Sequence, residues 1–283
     1  ITIGDWSSDV CSSDLFYSHS IQTGRMFEAR LTQGNALKLI IDAMKDLVQD
    51  ANFECSDSEI SVQAMDSSHV SLITLVLRKD GFSHYRCDSA LTMGLKMGSI
   101  AKILKCSDIR DTITLRAEDS GECLSLVFEN EEADRISEFE LKLIELEAEH
   151  LDIPEEESQA SITLGASEFQ RLCRDLSTLG DSCSISVTKE GVRFSVEGDI
   201  GKGSVMLRPS ESVEGNHGVS VVMSEVIEQR FALRYLSMFT KATPLSDNVK
   251  LTLTNDMPIK VEYLIEGLGS LCFYLAPKMD GDE

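Results

Sequence analysis

Gly34-Asn-Ala-Leu-Lys-Leu-Ile-Ile-Asp-Ala-Met-Lys-Asp-Leu47 is the stretch on which the reading of this chain turns. Leu37, Ile40, Ile41, Met44 and Leu47 recur at i, i+3, i+4, i+7 and i+10, the stripe of a helix that buries one side. The same spacing returns at Phe169, Leu172, Cys173, Leu176 and Leu179, each 132 residues further on. That offset also carries Leu104 to Leu236, Lys102 to Arg234, and Phe139, Leu141 and Leu143 to Leu271, Phe273 and Leu275. One offset held through two helices and a closing strand points to an internal duplication. Two copies are too few for a solenoid. The expectation is therefore α+β: two similar domains, each with two helices packed on antiparallel strands.

Working outward, Phe27-Glu-Ala-Arg-Leu31 alternates as a strand ahead of the first helix. Strands are expected at 53–55, 60–65 and 71–78, with turn chemistry at Ser56-Asp-Ser58 and Asp66-Ser-Ser-His69. After Tyr85-Arg-Cys87 a second helix is expected over 99–106, then strands at 112–117, 123–129 and 138–143. Between the copies runs Leu143-Ile-Glu-Leu-Glu-Ala-Glu-His-Leu-Asp-Ile-Pro-Glu-Glu-Glu157, acidic and without glycine. Its apolar residues Leu143, Ile144, Leu146, Leu151 and Ile153 follow neither the strand nor the helix period. It reads as a surface connector whose apolar studs either pin it to the domains beneath or face a partner. The expected division is a non-native leader at 1–25, a first domain at 26–142, a connector at 143–159, a second domain at 160–278 and a short acidic tail at 279–283. The leader is rich in serine and aspartate, holds the single Trp and lacks a basic targeting region.

The chain has 48 acidic and 26 basic residues, a net charge of -22, which opposes indiscriminate binding to nucleic acid or anionic membrane. No apolar run reaches roughly 18 residues, so no membrane span is expected. The eight cysteines are scattered with no C-x-x-C pair, which suits reduced thiols in cytosol or nucleus. The acids are not evenly spread. Windows 90–106 and 229–246 hold none, yet carry Lys96, Lys102 and Lys105 in the first and Arg230, Arg234 and Lys241 in the second. A buried helix with snorkelling ends would account for this. A local field shaped for a polyanion held by its phosphates accounts for it in both copies.

Catalytic patterns are thin. Ser99-x-x-Lys102 with Ser246-Asp-Asn248 follows the order of penicillin-recognising serine enzymes, but the Lys-Thr-Gly element is absent. Gly198-Asp-Ile-Gly-Lys-Gly-Ser204 fails the spacing of a phosphate loop. Histidines 19, 69, 84, 150 and 217 show no metal-ligand spacing. No catalytic residue, metal or cofactor is expected.

Several stretches resemble the proliferating cell nuclear antigen family, the eukaryotic DNA sliding clamps. They are Arg86-Cys-Asp-Ser-Ala-Leu-Thr-Met-Gly-Leu-Lys-Met-Gly-Ser-Ile-Ala-Lys-Ile-Leu-Lys-Cys106, Met26-Phe-Glu-Ala-Arg-Leu31, Met65-Asp-Ser-Ser-His-Val-Ser-Leu72, Phe231-Ala-Leu-Arg-Tyr-Leu236, Phe239-Thr-Lys-Ala-Thr-Pro-Leu245 and Tyr274-Leu-Ala-Pro-Lys278. The resemblance implies a head-to-tail homotrimeric ring with helices lining a hole that holds double-stranded DNA. It implies that Lys38, Lys45, Lys96, Lys102, Lys105, Arg171, Arg174, Arg234 and Lys241 face the DNA. Leu39 and Thr178 stand where many or some members have Lys and His. The ring joint would use the strand at about Arg135–Lys142, with Arg135, Ile136, Phe139 and Leu141, against Gly203, Val205 and Leu207 of the next subunit. From the sequence alone, pairing inside one chain stays open.

By the same resemblance, short partner peptides would dock under the connector. Their pocket would use Met65, His69, Val70, Leu72, Leu151, Ile153, Pro258, Tyr274, Ala276 and Pro277. Ser158 replaces an aromatic common at the connector's end. Lys189, in the turn Thr188-Lys-Glu-Gly191, matches the lysine that receives regulatory ubiquitin. The implied function is a processivity factor in the nucleus that tethers polymerase and docks clamp loader, flap endonuclease and ligase, with no membrane partner. The alternatives are a subunit of a heterotrimeric checkpoint clamp and an acyl hydrolase built on the Ser-x-x-Lys motif.

Overall fold

The computed structural model describes residues 26–118, 121–147, 151, 158–210 and 218–279. The first half runs β1 (Met26–Leu31), α1 (Gly34–Met44), β2 (Asp50–Cys55), β3 (Glu59–Met65), β4 (Ser71–Arg78), β5 (His84–Cys87), β6 (Leu91–Lys96), α2 (Met97–Leu104), β7 (Thr112–Glu118), β8 (Cys123–Asn130) and β9 (Arg135–Lys142). The second half repeats that order. It runs β10 (Ala160–Gly165), α3 (Ala166–Leu176), β11 (Ser182–Thr188), β12 (Gly191–Gly198), β13 (Gly201–Leu207), β14 (Ser220–Met223), β15 (Ile227–Ala232), α4 (Leu233–Phe239), β16 (Asn248–Leu253), β17 (Ile259–Ile265) and β18 (Gly269–Leu275).

The stripes read from the sequence are the buried faces. Leu37, Ile40, Ile41 and Met44 of α1 and Phe169, Leu172, Cys173 and Leu176 of α3 are buried. Leu47 and Leu179 fall past the helix ends, in turns closed by their N–H groups on Met44 and Leu176. Strands β6, β14 and β15 were not anticipated; β9 has the extent implied by the resemblance, Arg135–Lys142, and begins three residues before 138, where the alternation starts.

Equivalent hydrogen bonds align the halves, and they correct the single offset. The Gly34 N–H donates to the Asp111 carbonyl, and the Ala166 N–H to Asp247. Likewise Met97 donates to Gln49, and Leu233 to Asp181. The first helices and the strands after them do match at 132 residues, but α2 matches α4 at 136 and β9 matches β18 at 134. The sequence match slipped by four residues in the helix, about one turn, and by two in the strand, one strand period. An apolar pattern repeats under either slip. Lys102 therefore corresponds to Met238 rather than Arg234, and Lys105 corresponds to Lys241.

Three sheets result. One has the order β5-β1-β7-β8-β9, another β13-β12-β11-β15. The third has nine strands, β14-β10-β16-β17-β18-β4-β3-β2-β6. It is the second half's five-stranded unit joined to the first half's four-stranded unit by antiparallel pairing of β18 with β4. Phe273 of β18 is fully buried and stacks on Phe239 of α4, ring centroids 4.6 Å apart. The helices pack on one another: α1 on α2, α3 on α4, and the 3-10 segment Thr240–Leu245 on both α1 and α3.

Candidate nucleic-acid interface and docking groove

The face of α2 opposite its buried Met97, Ile100, Ala101 and Leu104 exposes Gly98, Lys102 and Lys105, one stripe at i, i+4 and i+7. Lys96, just before the helix, is exposed as well. Among the described residues these three ammonium groups have no ion pair, so they are free to meet an anion. The other expected cations are engaged. Lys38 donates to the Ser107 carbonyl at 3.3 Å. Lys45 pairs with Asp42, Arg171 with Glu168 and Arg174 with Asp175. Lys241 pairs with Asp46, tying the second half to the turn after the first helix of the first half. The Arg234 guanidinium lies 4.8 Å from the centre of the Tyr235 ring. These exposed pairs are worth little in water, so an arriving phosphate can exchange with the carboxylate at small cost.

On the nine-stranded sheet lies a groove of about 270 Å³. Of the residues named for the peptide pocket, Met65, His69, Leu72 and Leu151 line it, together with Gln63, Ala64 and Leu146, which the sequence reading did not name as lining. Val70, Pro258, Tyr274, Ala276 and Pro277 do not line it. Tyr274 stands opposite Leu72 across the β18–β4 pairing, and the Ala276 N–H donates to the Val70 carbonyl at 3.1 Å. These residues continue the surface beyond the Leu72 wall. Pro258 is exposed, and Ile153 lies outside the described residues.

Two contacts hold the connector over this groove. The Ile144 N–H donates to the Gly94 carbonyl at 2.9 Å. The Gln63 amide then grips Leu151 twice: Nε2 donates to its carbonyl at 2.8 Å and Oε1 accepts its N–H at 2.9 Å. No sequence pattern singled out Gln63, because a half-exposed amide on a strand is common. Gly94 is required here. A Cβ would meet the Ile144 carbonyl at 2.0 Å.

The turn at the groove's end is built on Asp66. Its carboxylate accepts the N–H groups of Ser68, Val70 and Ser71 and the Tyr235 hydroxyl of α4, at 2.7–3.1 Å. Burial pushes its carboxyl up, but these donors outweigh burial and hold it below the ordinary 3.8. The same turn sets His69 in the left-handed region at φ 55°.

The sheet edges are unequal. β9 ends the first five-stranded sheet and β13 ends the four-stranded one, each with one side unpaired among the described residues. On β9, Ile136 is 73% exposed and Phe139 is half-buried against Phe128, ring centroids 5.3 Å apart. Two residues expected to face a neighbour are used internally. Leu141 is buried in its own core, and Arg135 reaches Asp111 at 3.1 Å. Gly203 sits on β13, where a Cβ would meet Leu179 Cδ1 at 2.6 Å. Lys189 is exposed at the tip of the β11–β12 hairpin. No cluster of three or more metal-ligating residues occurs among the described residues.

Two family models match the chain. The N-terminal domain of proliferating cell nuclear antigen matches residues 26–150, and its C-terminal domain matches residues 152–278. Proliferating cell nuclear antigen of Chaetomium thermophilum is 48% identical over 259 residues, covering 91% of this chain and the whole of that protein.

Proposed function

This chain belongs to the proliferating cell nuclear antigen family, the DNA sliding clamps, and on that premise we propose that three copies close head to tail into a ring around duplex DNA. The clamp function follows from the family. The ring is supported chiefly by one observation: among the described residues the joint is made once and its two counterpart edges are left unpaired. β18 pairs with β4, while their repeat counterparts β9 and β13 are both open edges. A copy's β9 added to the next copy's β13 repeats the internal joint, a heterologous contact that closes when the rotation permits.

The register follows by transfer. β18 pairs Phe273 with Ile73 and Leu271 with Leu75. Carried through the repeat, Phe139 falls opposite Gly203 of the neighbour and Ser137 opposite Val205. Glu140 then falls opposite Lys202, opposite charges directly across the strands. Of the residues first expected at this joint, Ile136, Phe139, Gly203, Val205 and Leu207 carry it through side chain or strand position. Arg135 and Leu141 contribute backbone.

Inside the ring the helices would meet DNA. Lys96, Lys102 and Lys105 are the primary phosphate contacts in this reading, with Lys38, Lys45, Arg171, Arg174, Arg234 and Lys241 in support. Contacts to phosphate carry no sequence information, which suits a ring that must slide. The groove under the connector would take short peptides of polymerases, clamp loader, flap endonuclease and ligase, with Met65, His69 and Leu72 on the sheet side and Leu151 on the connector side. Val70, Tyr274, Ala276 and Pro277 would form the adjoining surface, with Pro258 at the margin; Ile153, expected at the same pocket, lies outside the described residues. Lys189 at its hairpin tip is accessible for ubiquitin. We assign the chain no catalytic role of its own, and place it with DNA in the nucleus.

The test is light scattering of the full chain over a concentration series. The expected particle is about 94 kDa, three times the 31.2 kDa chain. A persistent monomer overturns the ring.

A further inference from the structure

The Leu72 wall of the connector groove belongs to a row that runs on across the nine-stranded sheet. Cross-strand pairing sets Leu72 opposite Tyr274, Tyr274 opposite Lys260, Lys260 opposite Thr252 and Thr252 opposite Ser161. Residues directly opposite one another share a face, so this row stands on the side that carries the groove. The neighbouring row on that face sets Cys272 opposite Glu262 and Glu262 opposite Lys250.

Charge is uneven along this surface. To one side of Leu72, Asp50 and Glu54 of β2 and Glu147 of the connector line the groove. To the other side, β14, β10, β16, β17 and β18 carry a single carboxylate, Glu262. It stands between two lysines. Lys260 Nζ lies 3.4 Å from its Oε1, a long contact that an arriving carboxylate can share at small cost. Lys250 is exposed, and among the described residues it has no ion pair. Two ammonium groups about one carboxylate leave this patch cationic in a chain of net charge -22. The fold does not require that. The repeat counterparts β5, β1, β7, β8 and β9 carry Glu28, Glu118, Glu129, Glu138 and Glu140, with Arg116 paired to Glu28 and Arg30 to Glu129.

We propose that the Lys260–Lys250 patch is a second contact of the docking surface, and that it selects partner peptides whose groove-binding segment continues into an acidic stretch. The inference rests on the reading of the groove as a peptide site. Strand spacing places Lys260 roughly 10 Å from the Leu72 wall, and the strand of Lys250 roughly 14 Å from it. An extended peptide covers those distances in about three to five residues. Carboxylates at that spacing from the anchor against Leu72 meet two ammonium groups and the hydroxyls of Thr252 and Ser161, all of them donors. Carboxylates at the opposite end of the peptide meet Asp50, Glu54 and Glu147 and are repelled. The surface thereby sets the direction in which a charged peptide lies.

Selection of binders from a displayed library of random peptides by the full chain tests this. Leu72→Asp, with the fold checked by circular dichroism, identifies the binders that use the groove. Those binders are expected to carry Asp or Glu on one flank at the stated spacing and not on the other. For one such peptide made synthetically, changing the flank acids to Asn or Gln is expected to weaken binding roughly three- to five-fold by fluorescence anisotropy. Salt at about 0.5 M is expected to remove that difference. Lys250→Gln with Lys260→Gln, again checked by circular dichroism, is expected to abolish the acid preference, and Lys250→Glu alone, at an exposed position, to weaken it. Groove-dependent binders without flank acids, or an acid preference that survives loss of both lysines, overturn the proposal and leave the groove reading standing. An absence of binders, or binders indifferent to Leu72→Asp, overturns the groove reading and the proposal with it.

Discussion

At the β18–β4 joint, Phe273 and Ile73 face each other fully buried, and Ser270, Cys272 and Tyr274 stand against Val76, Thr74 and Leu72. No charge appears in that pairing. The counterpart edges are built differently. β9 carries Arg135, Glu138, Glu140 and Lys142, and β13 carries Lys202 between two glycines. A joint made inside one chain needs no protection, because tethering keeps its strands together at high effective concentration. An edge that must survive alone before meeting its partner is charged, which discourages indiscriminate strand addition. The charges are complementary across the proposed register, so the same residues that deter wrong partners help select the right one.

The sharpest way to break this comparison is to make one kind of substitution on each side of it. Phe273→Ala empties a core position stacked on Phe239 and is expected to cost about 3–5 kcal/mol of fold stability, read by denaturant unfolding. If it merely lowered the particle mass, the two joints would be the same in kind after all. Phe139→Asp, at the half-buried counterpart, is expected to leave circular dichroism intact and shift the light-scattering mass to that of one chain. A trimer that survives this change would rule out Phe139 opposite Gly203.

A second contrast separates the helices of the two halves: among the described residues the lysines on the α2 face are unpaired, whereas the arginines of α3 are paired. Lys102→Ala with Lys105→Ala is expected to reduce the slope of log affinity for duplex DNA against log salt by roughly 2, about 0.9 per lost phosphate contact. Arg171→Ala with Arg174→Ala is expected to change it less, since each pair must first be broken. Equal slopes would dissolve the distinction.

Acid probes the internal joint. Asp66 has a lower carboxyl pKa folded than unfolded, so its contribution is present above about pH 4 and lost as pH falls below that value. Stability measured from pH 6 to pH 2.5 is expected to fall in that window, and Asp66→Asn to be less stable at pH 6 but flatter below pH 4. A parallel decline in both proteins would remove Asp66 from the account. The smallest effect is expected from Gln63→Ala. Losing the grip on Leu151, about 1 kcal/mol, is expected to speed exchange of its amide hydrogen roughly five-fold without changing the particle mass.

Much of this was legible from the chain. Periodicity placed α1 and α3 because a buried helical face must recur every three to four residues, and it placed most strands for the corresponding reason. The duplication was legible too, but not its alignment: a pattern with a period of one turn or one strand pair matches itself equally well when slipped by that period. Backbone bonds such as Gly34 to Asp111 and Ala166 to Asp247 removed that ambiguity. The acid-free windows pointed to the second helices, yet which cations stand unpaired depended on neighbours distant in sequence, such as Asp46 beside Lys241. The amino-acid sequence by itself determined the two α+β halves, the apolar faces and the family. Only the tertiary structure decided that β18 joins β4, that β9 and β13 are open edges among the described residues, and that Gln63 grips the connector. Strand partners and side-chain grips are set by packing between segments far apart in the chain, where local pattern carries no information.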